Sequence, residues 1–301
     1  MNVTKALDMA IKLAEKGSTD GGYEINGAVK ESYMTNAEWA AFIAEMSADA
    51  LAEYSAGGGD ELSEKNGRPP KMASYGSSSR MIYMLSREKE GFHFEKKLPT
   101  TVGGTANLDG FCEEEDRNIF VEAKCHEPYS AKTSTVSKAY AHLYSYINEC
   151  MSGGFYAEMT DLPDGKNMDV KFYSDGEEIE WFDVKQVICH LLGIATGMLK
   201  GDVRPVQTDF IYLVYDPTEL QLDSDVREKI EEVYERLCYE VNAVDTATIL
   251  RVIFAFLKDT VYGEALSDEV IENVIFTFAF SLASQEFYPV LLSGGLEEFI
   301  F

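Results

Sequence analysis

Hydrophobic and polar positions repeat with two different periods along this chain, and the changes of period mark its elements. Residues 3 to 16 repeat at helical spacing. A second helix is announced by Thr35-Asn36-Ala37-Glu38, whose threonine and glutamate have the spacing of a capping box before an apolar-rich run. The stretch GGGDELSEKNGRPPK, residues 57 to 71, mixes Gly, Pro and charge and predicts a linker closing a helical segment over 1–71. After it, SSSRMIYMLSRE predicts a helix capped by Ser77, Ser78 or Ser79, and FHFEKKL, ANLDGFC and NIFVEAKC predict three strands. Residues 134 to 151 read as helical, KFYSDGEEIEWF as a hairpin about Asp175-Gly176, VKQVICHLLGIATGML as an apolar helix, and DFIYLVYDP as a buried strand. These elements define an α/β unit over 72–218. From Ser224 onward the pattern reads as helical, including SDEVIENVIFTFAFSLA, which predicts a helical region over 219–301 packed on that unit.

Composition adds limits to this picture. The chain has 301 residues, of which 46% are hydrophobic, enough for a sizeable core. Lys5, Asp8, Lys12 and Glu15 interrupt the first apolar positions, and later apolar runs are shorter than the ~20 residues needed to span a bilayer, so no membrane partner and a cytoplasmic location are expected. Five cysteines at 112, 125, 150, 189 and 238 lack a paired metal-ligand spacing, which fits reduced, mostly buried thiols. Cys125 and His126 adjoin, but neighbouring strand residues point to opposite faces and do not readily share an ion. The net charge of −26 argues against a generally basic nucleic-acid-binding surface. Half of that excess lies between Asp216 and Phe301, with 18 acids against 5 bases, and screening over about 8 Å leaves local charge to decide the potential inside a cleft.

The chemistry concentrates in GTANLDGFCEEEDRNIFVEAKCHEPY, residues 104 to 129. A hairpin closed symmetrically around Glu115 and Asp116 places Asp109 opposite Glu122, with Lys124 on the face of Glu122 and Val121 and Ala123 facing a core. Like charges directly opposed across a hairpin destabilise it. Two carboxylates plus a main-chain carbonyl are the oxygen ligands that Mg²⁺ favours, so a dication, Mg²⁺ or Mn²⁺, resolves the repulsion and can activate water against a phosphate. The alternative is an exposed charged face with a salt bridge to Lys124, worth about 0–1 kcal/mol.

Asp109 followed by Glu122-Ala123-Lys124 resembles the PD-(D/E)xK nuclease superfamily, whose restriction-endonuclease-like core runs helix, three strands, helix, strand in a mixed sheet. The resemblance covers a little under half of the chain, from Ser77 to Asp216. It implies metal ligation by Asp109, Glu122 and the Ala123 carbonyl, assistance from Lys124, and DNA as the substrate of a metal-dependent endonuclease in restriction or repair. The proline that precedes the aspartate in that family is replaced here by Leu108. An acid, any residue and lysine recur at Glu95, Asp164, Asp169 and Asp183, but only Glu122 ends an apolar strand preceded by a strand with an acid in register.

Further residues stand on weaker grounds. Glu95, on the preceding strand, is either a further acid of the site or a solvated partner of Lys96 or Lys97. Gln186 falls where many family members place a glutamine near metal and phosphate, yet Asp183 and Gln186 also have capping-box spacing. His190, one turn later, is either a pH-responsive group or a satisfied buried histidine. Tyr140, Tyr144 and Ile147 share a helical face suited to packing. The region of the first core helix offers Ser78, Ser79 and Arg80 where family members often carry an acid. Double-strand cutting implies a homodimer or two successive nicks. A competing reading is a nuclease-like fold without activity whose acidic surface binds a basic protein.

Overall fold

The computed structural model describes residues 3–57, 60–130, 134–151, 154–263 and 275–283. Helix α1 (Val3–Lys16) comes first, followed by strands β1 (Tyr23–Ile25) and β2 (Ala28–Lys30). The two strands form a small antiparallel hairpin, so the N-terminal segment is not purely helical. Their two-residue turn needs left-handed backbone at both positions, which Asn26 (φ 51°) and Gly27 (φ 74°) supply. Helix α2 (Asn36–Glu45) begins at the expected capping box on Thr35 and Glu38, and α3 (Ala48–Gly57) follows. Two of the charges that interrupt the first apolar stripe are buried. Lys12 donates to the carbonyls of Thr19, Gly21 and Glu31 at 3.1, 2.6 and 2.9 Å, and Asp8 meets His126 Nδ1 at 2.7 Å, so each has the partners that burial demands.

Helix α4 (Ser78–Ser86) is capped by Ser77, whose hydroxyl accepts from the Arg80 N–H. Strands β3 (Phe92–Pro99), β4 (Thr105–Glu113) and β5 (Arg117–Lys124) then form an antiparallel meander. The stretch expected as one helix over 134–151 divides into strand β6 (Thr135–Ser137), a 3₁₀ turn and α5 (Ala141–Cys150). Strand β8 (Asn167–Ser174) pairs with β6, β7 (Phe155–Asp161) and β9 (Glu177–Ile179) in a separate antiparallel sheet, with Asp175 (φ 50°) and Gly176 (φ 85°) in the predicted turn. Helix α6 (Val184–Lys200) leads to β10 (Gln207–Tyr215), which lies parallel to β5. Helices α7 (Ser224–Asn242) and α8 (Thr246–Leu257) precede the final strand, β11 (Phe276–Ala283).

The main sheet is mixed and five-stranded, in the order β11-β10-β5-β4-β3. Its last strand corrects the helical expectation for the C-terminal region. Residues 276–283 pair parallel to β10 from Thr208↔Phe276 to Tyr215↔Ala283, and phenylalanines at 276, 278 and 280 give the period of a strand. The remainder of that expected helix, 267–274, lies outside the described residues.

One face of the sheet, through Leu98, Ala106, Leu108, Phe120, Phe210 and Val214, packs against α5, α6 and α8. The other face, through Ile119, Val121, Ala123, Ile211 and Leu213, shares a cluster with α1, α4 and the N-terminal helices. The described residues between 3 and 71 therefore contribute one layer of the core, and the end of the expected linker is tied down by bonds from the Lys71 and Met72 N–H groups to the carbonyls of Asp60 and Glu61. The acidic β4–β5 turn is held by arginine: Arg204 Nε meets Glu113 at 2.6 Å and its guanidinium donates to the Glu114 and Glu115 carbonyls. Among the described residues, no helix is long and apolar enough to cross a membrane.

Candidate active site

The β4–β5 ladder has the register expected from its turn, running from Glu113↔Asn118 to Gly110↔Val121. It stops one step before Asp109 and Glu122 would pair. There Asp109 Oδ2 accepts the Ala123 N–H at 2.7 Å, taking the place of a ladder carbonyl. The N–H and C=O of one strand residue leave the same edge, so the Ala123 carbonyl faces this opening too.

The opening is matched on β3. Glu95 adopts a left-handed conformation (φ 56°) between the pairs Phe94↔Gly110 and Lys96↔Leu108, which leaves Glu95 and Asp109 out of the ladder together. Alternation reverses at this point: Phe94 and Cys112 enter the core on the α4 side, whereas Leu98, Ala106 and Leu108 enter the core on the α6 side. One residue displaced on each strand preserves register beyond the break. A non-glycine residue held there costs about 1–2 kcal/mol.

At the end of β5, Lys124 Nζ lies 2.5 Å from Glu122 Oε1 and 2.7 Å from Gln186 Oε1, while Gln186 Nε2 donates to Glu122 Oε1 at 2.6 Å. The capping contact expected of Gln186 is present, and it uses the backbone rather than the side chain. Its backbone N–H goes to the N-cap Asp183 at 3.1 Å, which leaves the side-chain amide for the Glu122–Lys124 pair. His190, one turn along α6, places Nδ1 3.5 Å from Glu122 Oε2. Tyr212 of β10 sits beside Glu122 in the parallel register.

Burial and mutual charge set the protonation of this cluster. Burial raises the Glu122 pKa to about 7 against the opposing pull of Lys124. Burial and then the Glu122 charge hold Asp109 well above the ordinary carboxylate range. Burial alone would lower Lys124, but the surrounding acids, Glu122 foremost, outweigh it and keep the ammonium charged. One fixed cation thus serves the buried Glu122 and the half-buried Asp109. The remaining negative charge is met by a proton or by an added cation.

The donor set fits a hard dication. Glu122 Oε2 is buried without a hydrogen-bond partner, Asp109 lies at the opened ladder, and Ala123 presents a carbonyl. Among the described residues, no group of three or more His, Cys, Asp or Glu side chains is disposed to hold a metal. A site with one or two carboxylates, completed by water and substrate phosphate, is the arrangement that Mg²⁺ ordinarily uses.

The other sequence candidates fall in different places. Glu95 stands at the register step opposite Asp109, where burial and then Asp109 raise its pKa to about 7 and Glu61 and Lys71 are further neighbours. Its adjacent lysines turn elsewhere: Lys97 donates to the Ala56 carbonyl at 2.9 Å, and Lys96 lies 4.6 Å from the Phe111 ring centre. Helix α4 supplies no acid, and Arg80 is paired with Glu15. Asp169 and Lys171 lie in the second sheet, bonded to Ser134 and Glu178. Tyr140, Tyr144 and Ile147 are buried packing residues. Cys112 and Cys125 are buried as expected, but Cys150 is exposed.

Sequence reasoning missed Tyr212, because its position beside Glu122 depends on parallel pairing between strands far apart in the chain. A cavity of about 520 Å³, lined in part by Tyr129, Lys171, Trp181, Asp183 and Lys185, opens beside the first turn of α6. Comparison with protein-family models, curated proteins and solved structures finds no match to this chain.

Proposed function

We propose that this protein is a metal-dependent endonuclease of the PD-(D/E)xK type, hydrolysing phosphodiester bonds of DNA in restriction or repair. The observation that carries the reading is the joining of Glu122, Lys124 and Gln186 at the end of the central strand, with Asp109 bonded to the intervening Ala123 N–H. Support also comes from the order helix α4, strands β3–β5, helix α6, strand β10, with β10 parallel to β5; this is the order of a restriction-endonuclease-like core, here with β6, α5 and β7–β9 inserted before α6.

Asp109, Glu122 and the Ala123 carbonyl would hold Mg²⁺ or Mn²⁺, which when bound supplies polarisation of a phosphate oxygen and a more acidic water. Lys124 acts as a charged donor, because an ammonium held well above its ordinary pKa does not serve as a general base near neutrality. Its N–H groups stabilise negative charge developing on the phosphate oxygens. Gln186 fixes both partners, since its carbonyl accepts from Lys124 while its amide donates to Glu122. Double-strand cutting would use a homodimer or two successive nicks.

The net charge of −26 favours a second reading, an inactive nuclease-like fold that binds a basic protein through its acidic surface. Cleavage assays decide between them. Plasmid and linear DNA should be cut in the presence of Mg²⁺ or Mn²⁺, and Lys124→Ala or Glu122→Gln should reduce the rate by about 10²-fold or more. Unchanged cleavage in both variants, or no cleavage by the unaltered chain with either ion, refutes the assignment.

A further inference from the structure

Two buried acceptors face each other under the first turns of α6. His190 is 2% exposed and its ring hydrogen-bonds the backbone of Asn107. Nδ1 makes no hydrogen bond, so the nitrogen that donates to the Asn107 carbonyl is Nε2. With the proton on Nε2, Nδ1 of the neutral ring presents a bare lone pair.

Opposite this nitrogen, 3.5 Å away, lies Glu122 Oε2, which is also buried and has no hydrogen-bond partner. Its sister atom Oε1 already takes Lys124 and Gln186. A carboxylate oxygen and an imidazole lone pair repel unless something positive lies between them. The gap is wider than the 2.7–3.2 Å of a normal hydrogen bond, so a proton alone does not span it well. Nitrogen and oxygen ligands bonded at about 2.1 Å to a tetrahedral ion are separated by about 3.4 Å, close to the gap observed. The Asn107 carbonyl supplies the partner that metal-binding histidines ordinarily use to fix their tautomer and ring orientation.

We propose that His190 Nδ1 and Glu122 Oε2 form a two-ligand dication position of their own on the α6 side of the sheet, a mixed nitrogen–oxygen pair that prefers Co²⁺, Zn²⁺ or Mn²⁺ to Mg²⁺. The proposal rests on the reading above that Glu122 faces a metal, and it adds a position with a ligand from α6 and a metal preference. Imidazole suits transition ions, whereas Mg²⁺ selects oxygen ligands and retains its waters. Water or phosphate oxygens would complete the shell.

The full chain loaded with Mn²⁺ should show electron spin-echo modulation from a directly bound ¹⁴N nucleus. Bound Mn²⁺ without that modulation overturns the proposal, and so does failure of both Mn²⁺ and Co²⁺ to bind. In calorimetry, His190→Gln, its fold checked by circular dichroism, should weaken Co²⁺ binding by about tenfold or more and Mg²⁺ binding by less than about twofold. Equal weakening for the two ions, or none, also overturns it. The outcomes separate the two ideas: nitrogen coupling without DNA cleavage leaves this ligand pair standing and removes the nuclease reading. Metal-dependent cleavage with no nitrogen coupling does the reverse.

Discussion

Replacing Glu122 by glutamine should change how stability responds to pH, by an amount that follows from its burial. The Glu122 side chain is almost fully enclosed, and in the folded chain its pKa rises from 4.5 to about 7, chiefly through burial. Between those values the folded state keeps a proton that the unfolded state has released. Stability contributed by this group is therefore present at low pH and falls as pH rises through the window. From pH 4.5 to 7.5 the fall amounts to about 3 kcal/mol. Glutamine cannot titrate, yet its carbonyl can still accept from Lys124 and Gln186. Urea unfolding of metal-free protein, followed by circular dichroism, should thus show the variant gaining about 3 kcal/mol on the unaltered chain between pH 4.5 and 7.5. Part of that gain will be expressed through Asp109, whose raised pKa owes its second contribution to the Glu122 charge. Saturating Mn²⁺ should flatten the fall in the unaltered chain, because an ion displaces the proton. Parallel stability curves for the two proteins without metal would refute the argument from burial.

Two other substitutions test the scaffold that presents the site. A β-carbon at Gly193 would lie 2.5 Å from Ala106 Cβ and 3.3 Å from the Leu98 carbonyl oxygen, so Gly193→Val should cost about 1–3 kcal/mol in urea unfolding by prising α6 from β3 and β4; an unchanged or higher midpoint contradicts this close approach. Glu240 on α7 accepts the successive N–H groups of Glu180, Trp181 and Phe182 at 3.1, 2.6 and 2.8 Å, just before α6. Glu240→Ala orphans all three and should destabilise the chain by about 3 kcal/mol in the same assay, and a loss below about 1 kcal/mol would show that this strap contributes little.

Several local elements, and the pairing of the most acidic hairpin, were legible in the chain, whereas 135–137 and 276–283 read as helix and form strands. The capping box at Thr35, the left-handed turn at Asp175-Gly176 and the register around Glu115-Asp116 all arise from interactions within a few residues, where propensity and turn chemistry act directly. Strand period also placed Glu122 and Lys124 on one face. Only tertiary structure decided that Asp109 would leave the ladder and accept the Ala123 N–H, because that depends on the left-handed Glu95 of a third strand. Nor could periodicity announce that the C-terminal Phe276–Ala283 run joins β10 as a parallel strand, since a short apolar run suits helix or strand and the open edge beside it decides. The meeting of His190 and Tyr212 with Glu122 has the same origin: α6 and β10 come to that carboxylate through packing across the sheet, which contacts between near neighbours in the chain do not encode.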